Sequence, residues 1–226
     1  MDKTNCIVCR VKSPAAAILN EKELEVMGSN CSVVKFEKGE TIFKQGTLSS
    51  SIVYIKKGLV KIHLRGPSRE KILRIIKAPA YLGIPTTFGD KIYHYSATAI
   101  DSTQVCFIAG DTFRSFLHDN AQFAYEIIVD LCRNELSDYD RFVNLSQKQV
   151  PGRVAETLLS FAKDIFQQKT FDLPLSRSEL GALVGTSRES ISRIFTEFSD
   201  EKIIRLQGKE ITILNETLLE HISSKG

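Results

Sequence analysis

The chain has 226 residues, 42% hydrophobic and 25% charged, a composition that suits a soluble globular protein with one large or two modest cores. Lys and Arg number 30 against 27 Asp and Glu, a net charge of +3; from Gln147 onward the two signs balance, so overall charge makes no case by itself for a polyanionic partner. No apolar run approaches the ~18–20 residues that span a bilayer, and Cys6 and Cys9 stand where a signal peptide would place its apolar stretch, so a cytoplasmic protein with no membrane partner is expected.

Short alternating segments fill the first half of the chain: Ser32 to Phe36, Thr41 to Lys44, Ser51 to Lys56, Leu59 to Leu64, Lys71 to Ile76, Ser96 to Ile100 and Gln104 to Ile108. Gly and Pro punctuate them at Gly39, Gly46, Gly58, Gly66-Pro67, Pro79, Gly83, Gly89 and Gly110, the spacing of an all-β barrel or jelly roll. From Asn120 to about Gln149 the period turns helical without a Gly or Pro, and Phe123, Ile127, Leu131, Phe142 and Leu145 fall near one stripe. Pro151-Gly152 breaks this helix. A second helix follows with Val154, Leu158, Phe161, Ala162 and Ile165 on its apolar face, then a short Leu173 to Leu175 segment, two compact helices, and a hairpin from Ile203 to Leu214. That order describes a winged helix-turn-helix.

Ser176 and Glu179 form a capping-box pair for a helix ending at Gly185, and Ser187 caps the next. In that second helix Ile191, Ile194, Phe195 and Phe198 recur at helical spacing and must face a core. Its opposite face and first turn therefore display Arg188, Glu189, Ser192, Arg193 and Thr196. Arg pairs bidentately with guanine, Glu accepts from the cytosine amino group, and hydroxyls reach bases or phosphate. A solvated helix face with a Glu189 to Arg193 ion pair is the plainer reading of the same residues. The preceding helix, the Gly-Thr-Ser turn and the following hairpin together favour DNA.

The run Ser176-Arg177-Ser178-Glu179-Leu180-Gly181-Ala182-Leu183-Val184-Gly185-Thr186-Ser187-Arg188-Glu189-Ser190-Ile191-Ser192-Arg193 resembles the helix-turn-helix of the Crp/Fnr family of bacterial transcriptional regulators. Lys38-Gly39-Glu40, Phe43, Gly46 and Gly58 resemble its β-roll, and the similarity extends from about Leu19 to Leu219. The resemblance implies an α+β chain: an N-terminal cysteine-containing segment (1–17), a cyclic-nucleotide-binding-like antiparallel β-roll (18–118), a dimerisation helix (119–147) and a winged helix-turn-helix (148–226). It implies a homodimer that binds a near-palindromic operator on double-stranded DNA and contacts RNA polymerase. Arg188, Glu189 and Arg193 match base-reading positions of the cyclic AMP receptor branch and Ser192 one of the oxygen-sensing branch, which suggests a half-site around TGA. Lys209 at the wing tip, Arg177, Thr186 and Ser187 fall at expected phosphate contacts, which position without specifying.

Two sensors are conceivable on this scaffold. Cyclic-nucleotide binders of the family carry Gly-Glu-Leu for the ribose and Arg-Ser for the phosphate. This chain has Leu82-Gly83-Ile84 and Tyr95-Ser96 there, and a buried phosphate without its Arg loses a charge-assisted partner, which argues against cyclic AMP. The oxygen-sensing branch instead holds an iron–sulfur cluster on N-terminal cysteines and a strand cysteine. Cys6, Cys9 and Cys106 match such ligands, but the branch's third N-terminal Cys has no counterpart between Ser13 and Ala17. Cys31 completes four thiolates only if the barrel entrance folds it toward Cys6 and Cys9. A thiol redox switch is the other chemistry open to this CxxC pair, and Cys31 and Cys106 also suit plain burial in strands. Cys132 is expected to pack on an apolar helix face.

In the family the long helix pairs with its symmetry mate as a parallel coiled coil. Here Asn134, Glu135, Asp138 and Asp140 interrupt the stripe, and charge at a seam would make dimerisation conditional. Enzyme activity is not expected. The stretch after the long helix is too short for a catalytic domain, no P-loop, HExxH or GxSxG sequence occurs, and His63, His94, His118 and His221 are scattered.

Overall fold

A computed structural model describes residues 6–226; residues 1–5, the start of the expected 1–17 segment, lie outside the described residues. The chain divides into two compact units, one running through Arg69 and from Leu73 to Glu135, the other comprising Glu70–Ile72 and Leu136–Gly226. The architecture is α+β, as expected.

The first unit begins with two short helices. In α1 (Pro14–Ile18) the Ser13 hydroxyl accepts from the Ala16 N–H, and in α2 (Glu21–Ser29) Asn20 and Glu23 close a reciprocal capping box. At five residues α1 is too short to show a helical period and only its cap announces it, whereas α2 buries Leu24, Met27 and Gly28 at helical spacing. Eight strands follow: β1 (Cys31–Phe36), β2 (Thr41–Phe43), β3 (Ser51–Lys57), β4 (Leu59–Arg65), β5 (Glu70–Lys77), β6 (Ala80–Leu82), then α3 (Ile84–Phe88), β7 (Ser96–Ala99) and β8 (Thr103–Ala109). They pair into two four-stranded sheets, β1-β8-β3-β6 and β2-β7-β4-β5. The helices α4 (Gly110–Asp119) and α5 (Ala121–Gln147) come next.

Strands β3 and β8 are covered on both faces, and the period-2 alternation of side chains splits them between two cores. Val53, Ile55 and Val105 join Ile42, Val60 and Ile62 between the sheets, whereas Ile52, Tyr54, Cys106 and Ile108 face α1, α2, α4 and the start of α5. Phe113, Phe116 and Phe123 pack edge-on or tilted at 5.3–5.7 Å in this second core, each contributing about 1.5–3 kcal/mol by burial.

Two expectations about α5 need correction. Phe123 and Ile127 are buried in the unit's own core and Leu131 packs against it, but Phe142 is 73% exposed. At 3.6 residues per turn, Phe142 lies about a quarter turn away from Phe123, so the apolar residues form two faces rather than one stripe. Cys132, half a turn from Phe123, is exposed and does not pack into a core.

The second unit contains α6 (Val150–Ser160), which widens into a π-turn over Phe161–Ile165, then β9 (Thr170–Asp172), α7 (Arg177–Val184), α8 (Arg188–Asp200), β10 (Ile204–Gln207), β11 (Glu210–Ile213) and α9 (Glu216–Lys225). The expected hairpin is β10–β11. The sequence reading missed β9, a three-residue strand that pairs with β11 and sets Phe171 opposite Ile211. It also missed α9, capped by the Asn215 side chain and anchored by the fully buried Leu219. Among the described residues no helix is long and apolar enough to cross a membrane.

Candidate nucleic-acid interface and cysteine pocket

The α7–turn–α8 element forms as its local chemistry dictates. Glu179 Oε2 accepts from both the Ser176 N–H (2.9 Å) and hydroxyl (2.8 Å), while Ser176 Oγ accepts from the Glu179 N–H at 3.2 Å. Gly185 ends α7 in the left-handed region at φ 80°, a conformation open to glycine at no steric cost. A Cβ on Gly181 would lie 2.8 Å from the Thr186 carbonyl oxygen, so the turn can close against α7 only over a glycine. Ser187 then caps α8, its Oγ accepting from the Ser190 N–H at 3.2 Å.

Helix α8 buries Ile191, Ile194, Phe195 and Phe198 and leaves Ser187, Arg188, Glu189, Ser192, Arg193 and Thr196 exposed. The four expected base-reading residues thus share one solvent-facing surface at the helix start. The Glu189–Arg193 ion pair of the plainer reading does not form; Arg193 Nε lies 3.8 Å from Glu197 instead. The Glu189 carboxyl is held below its usual range by its own backbone N–H, the Ser187 hydroxyl and the adjacent Arg188 charge, which keeps it an acceptor. Lys209 is exposed beside Gly208 at the β10–β11 turn. Thr186 is half-buried in the turn. Arg177 is half-buried too: its guanidinium lies 4.3 Å above the Phe195 ring, with Nη1 buried and without a hydrogen-bond partner among the described residues. Stacking over an aromatic face offsets part of that desolvation.

The space between the two sheets is filled by side chains. Phe43 and Tyr93 stack at 4.0 Å, Tyr95 packs against Phe43 at 5.5 Å, and the Gly83 N–H donates to the Tyr95 hydroxyl at 3.1 Å. The adjacent Ser96 hydroxyl accepts from the Gln45 N–H at 3.0 Å.

On the outer face of the β3–β8 sheet, a half-open cavity of about 30 Å³ is lined by Cys6, Cys9, Lys12, Cys31, Lys56 and Cys106, with Tyr54 and Tyr81 completing the wall. Cys31 and Cys106 share this face because β1 and β8 pair Cys31 with Ile108 and Val33 with Cys106, so the cysteines are diagonal neighbours on one side of the sheet. The N-terminal segment brings the other two. Tyr54 donates its hydroxyl to the Val11 carbonyl at 2.8 Å, Ser13 and Tyr81 hydroxyls meet at 2.7 Å, and the Lys12 ammonium bridges the carbonyls of Ile7 (2.6 Å) and Cys9 (3.1 Å).

Cys31 lines this cavity beside Cys6 and Cys106, near enough to share a proton with either thiol. Sharing its proton between the two neighbours, and burial, push the Cys31 thiol up. The same sharing, helped by Lys56 and Lys12, brings Cys6 down to about 7 against the pull of burial. Cys106 is lowered by Cys31 and Lys56 in the same way. The condition set on Cys31 is therefore met: the barrel entrance does fold it toward the CxxC pair. Among the described residues no three His, Cys, Asp or Glu side chains form a ready-made metal-holding group. The sequence reading did not anticipate Lys12 and Lys56, the two ammonium groups at this pocket, since neither stands out by spacing.

Comparison with known proteins follows this geometry. A model of the cyclic nucleotide-binding domain matches residues 33–120 and one of the Crp-like helix-turn-helix domain matches residues 152–222. The chain is 30% identical over 185 residues to the CRP-like cAMP-activated global transcriptional regulator of Mycobacterium tuberculosis, covering 80% of this chain and 83% of that one. It is 27% identical over 183 residues to the transcriptional activator FnrA of Stutzerimonas stutzeri, covering 79% and 75%. In fold it is similar to FixK2 of Bradyrhizobium japonicum (TM-score 0.77, 18% identity, 85% of this chain and 96% of that one). A Crp/Fnr-family regulator of Eubacterium rectale gives a TM-score of 0.76 at 19% identity over 94% and 98%. The relatives from M. tuberculosis, S. stutzeri and E. rectale are named as transcription regulators or activators. With a helix-turn-helix that exposes DNA-reading chemistry, a two-sheet roll before it and sequence identity across both, the chain belongs to the Crp/Fnr family of transcription regulators.

Proposed function

We propose that the protein binds a near-palindromic operator as a homodimer, in the cytoplasm, and that the state of its N-terminal cysteine pocket governs that binding. In this division of labour residues 1–17 and 18–118 form the sensor, 119–147 the dimerisation helix and 148–226 the reading domain, with RNA polymerase as the further partner the family resemblance implies. One observation supports DNA reading above the rest: Arg188, Glu189, Ser192 and Arg193 are exposed together on the first turns of α8 while its other face is core. Docked in a major groove, that surface reads a half-site containing TGA. Ser187, Thr186, Arg177 and Lys209 contact phosphates around it. Arg177 does so from its stacked position over Phe195, through guanidinium N–H groups other than the buried Nη1.

The exposed apolar residues of α5 support the dimer. Tyr125, Ile128, Leu136, Tyr139, Phe142 and Val143 are 44–73% exposed. Tyr125, Ile128, Cys132, Glu135, Tyr139 and Phe142 follow the 3-4 spacing of a coiled-coil seam. Glu135 falls within that register and Asp138 beside it, so of the two charges Glu135 is the one that weakens the seam.

For the sensor, the four thiols of Cys6, Cys9, Cys31 and Cys106 suit an iron–sulfur cluster in donor type and number, and they are the residues that would hold one. When bound, such a cluster supplies one-electron chemistry sensitive to oxygen. The relative from M. tuberculosis is named for activation by cyclic AMP. Cyclic AMP is not proposed here, because Tyr95 stands at the phosphate position and its hydroxyl already accepts the Gly83 amide proton that an anion would use.

Selection of bound duplexes from a random pool, with the protein purified anaerobically, tests the DNA reading; recovery of palindromes with TGA half-sites is expected, and recovery of no consensus would overturn it. Iron and sulfide analysis with visible absorption tests the cluster independently. Colour and iron that disappear in Cys31→Ser as well as in Cys6→Ser are expected. Iron retained in Cys31→Ser would remove Cys31 from the ligand set.

A further inference from the structure

We propose that Glu197 is a positioning residue for base reading: its carboxylate holds the Nε side of the Arg193 guanidinium, so that the two terminal amino groups project as a fork onto one guanine. The inference rests on the reading of α8 as the base-reading helix and deepens it, naming a residue that sharpens specificity without touching a base itself.

The placement comes from helix geometry. Arg193 has a carboxylate one turn to either side, Glu189 and Glu197, and pairs with the second, its Nε 3.8 Å from Glu197 Oε1. Residues four apart share one helix face, and helical side chains lean toward the N-terminus. Arg193 therefore reaches toward the first turns of α8, the part that meets base edges in a helix-turn-helix, and Glu197 stands behind it. Glu189, in the first turn, is left to its own base.

The chemistry of the guanidinium makes that hold useful. Arginine reads guanine through two parallel N–H donors to O6 and N7. Its N–H groups sit on three nitrogens in a rigid plane; with Nε committed to a carboxylate, the two terminal nitrogens remain as the fork that matches guanine. An arginine without such a hold swings on its long side chain and on most sequences finds a phosphate oxygen, a contact that carries no sequence information. The charges of the helix fit the same role. It carries Arg188 and Arg193 against Glu189, Glu197 and Asp200, one negative charge in excess, so α8 adds no net attraction to a polyanion and its charges act by position. The pair is exposed, 74% at Arg193 and 54% at Glu197, and an exposed ion pair shifts an equilibrium by about fivefold at most. Glu197 thus refines a contact that Arg193 makes.

Competition titrations of the full-length protein on a palindromic duplex with TGA half-sites and on a scrambled duplex of the same composition, at several salt concentrations, test the proposal. Glu197→Ala should lower the operator-to-scrambled affinity ratio about two- to fivefold. It should also strengthen binding to the scrambled duplex and steepen its log–log salt slope by about two per dimer, as the two released Arg193 side chains find phosphates, while the operator slope stays where it was. In an Arg193→Ala background the same step should leave the ratio unchanged. A ratio that Glu197→Ala does not lower in the parent, or lowers equally with and without Arg193, would overturn the proposal. A parent protein that binds both duplexes equally would overturn the reading of α8 itself, so the two failures are told apart.

Discussion

Arg188, Glu189 and Arg193 owe their exposure to four hydrophobic neighbours on the other side of α8, so the residues proposed to read DNA and those that fold the helix are separable by substitution. Arg188→Ala and Glu189→Ala should leave the thermal midpoint within a degree or two and cost about 1–3 kcal/mol of discrimination at one base pair each, measured by competition between operators differing at that pair. Lys209→Ala should instead weaken all duplexes alike and, because the dimer loses two lysines, reduce the salt slope by about two. Ser187 is different: its Oγ already accepts the Ser190 N–H. Ser187→Ala should therefore lose about 1 kcal/mol of stability along with its phosphate contact, and melting curves must accompany its binding curves. These roles were legible in the sequence because caps, Gly185 and helical spacing act over three or four residues. The Cys31–Cys6 contact was not, since it depends on the β1–β8 register and on Tyr54 and Tyr81 holding a distant segment.

The turn between α7 and α8 is set by a backbone approach. Gly181→Ala would push a methyl to 2.8 Å from the Thr186 oxygen, an overpacking expected to cost about 1–3 kcal/mol. The measurements are the thermal midpoint, which should fall by several degrees, and operator affinity, which should fall with it as the turn opens. On α5, Glu135→Leu should tighten the dimer and Phe142→Glu loosen it, whereas Asp138→Ala should leave the sedimentation profile unchanged. A Phe142→Glu protein as dimeric as the parent would remove this helix from the interface. The sequence disclosed the existence of α5 but not its two faces, because apolar residues near one period cannot tell a face buried in its own unit's core from one that stays exposed. Short elements such as α1, α3 and β9 escaped for a related reason: at three to five residues they carry less than two periods of any pattern.

Taken whole, the molecule is nearly neutral, so its attraction to DNA must come from local placement. A dimer offers the phosphate-contacting cations Arg177 and Lys209 twice over, and about four such contacts would lower affinity by roughly 10²-fold between 50 and 200 mM salt. A duplex with a single half-site should show about half the log–log slope of the full operator in anisotropy titrations; equal slopes would mean that only one protomer engages. The double-sheet roll was legible from alternation and turns, and its interior shows how far this chain stands from nucleotide-binding relatives. Tyr95 meets Phe43 and accepts the Gly83 amide proton. In evolutionary terms that single hydroxyl is a barrier. A Tyr95→Arg step alone would release the amide, break the ring contact and bury a cation before any phosphate-binding partner existed, a cost of several kcal/mol in a protein whose whole stability is on the order of 5–15 kcal/mol. An anion site in this barrel therefore lies more than one substitution away, because the ring contact and the Gly83 amide would have to be released together with the gain of the cation.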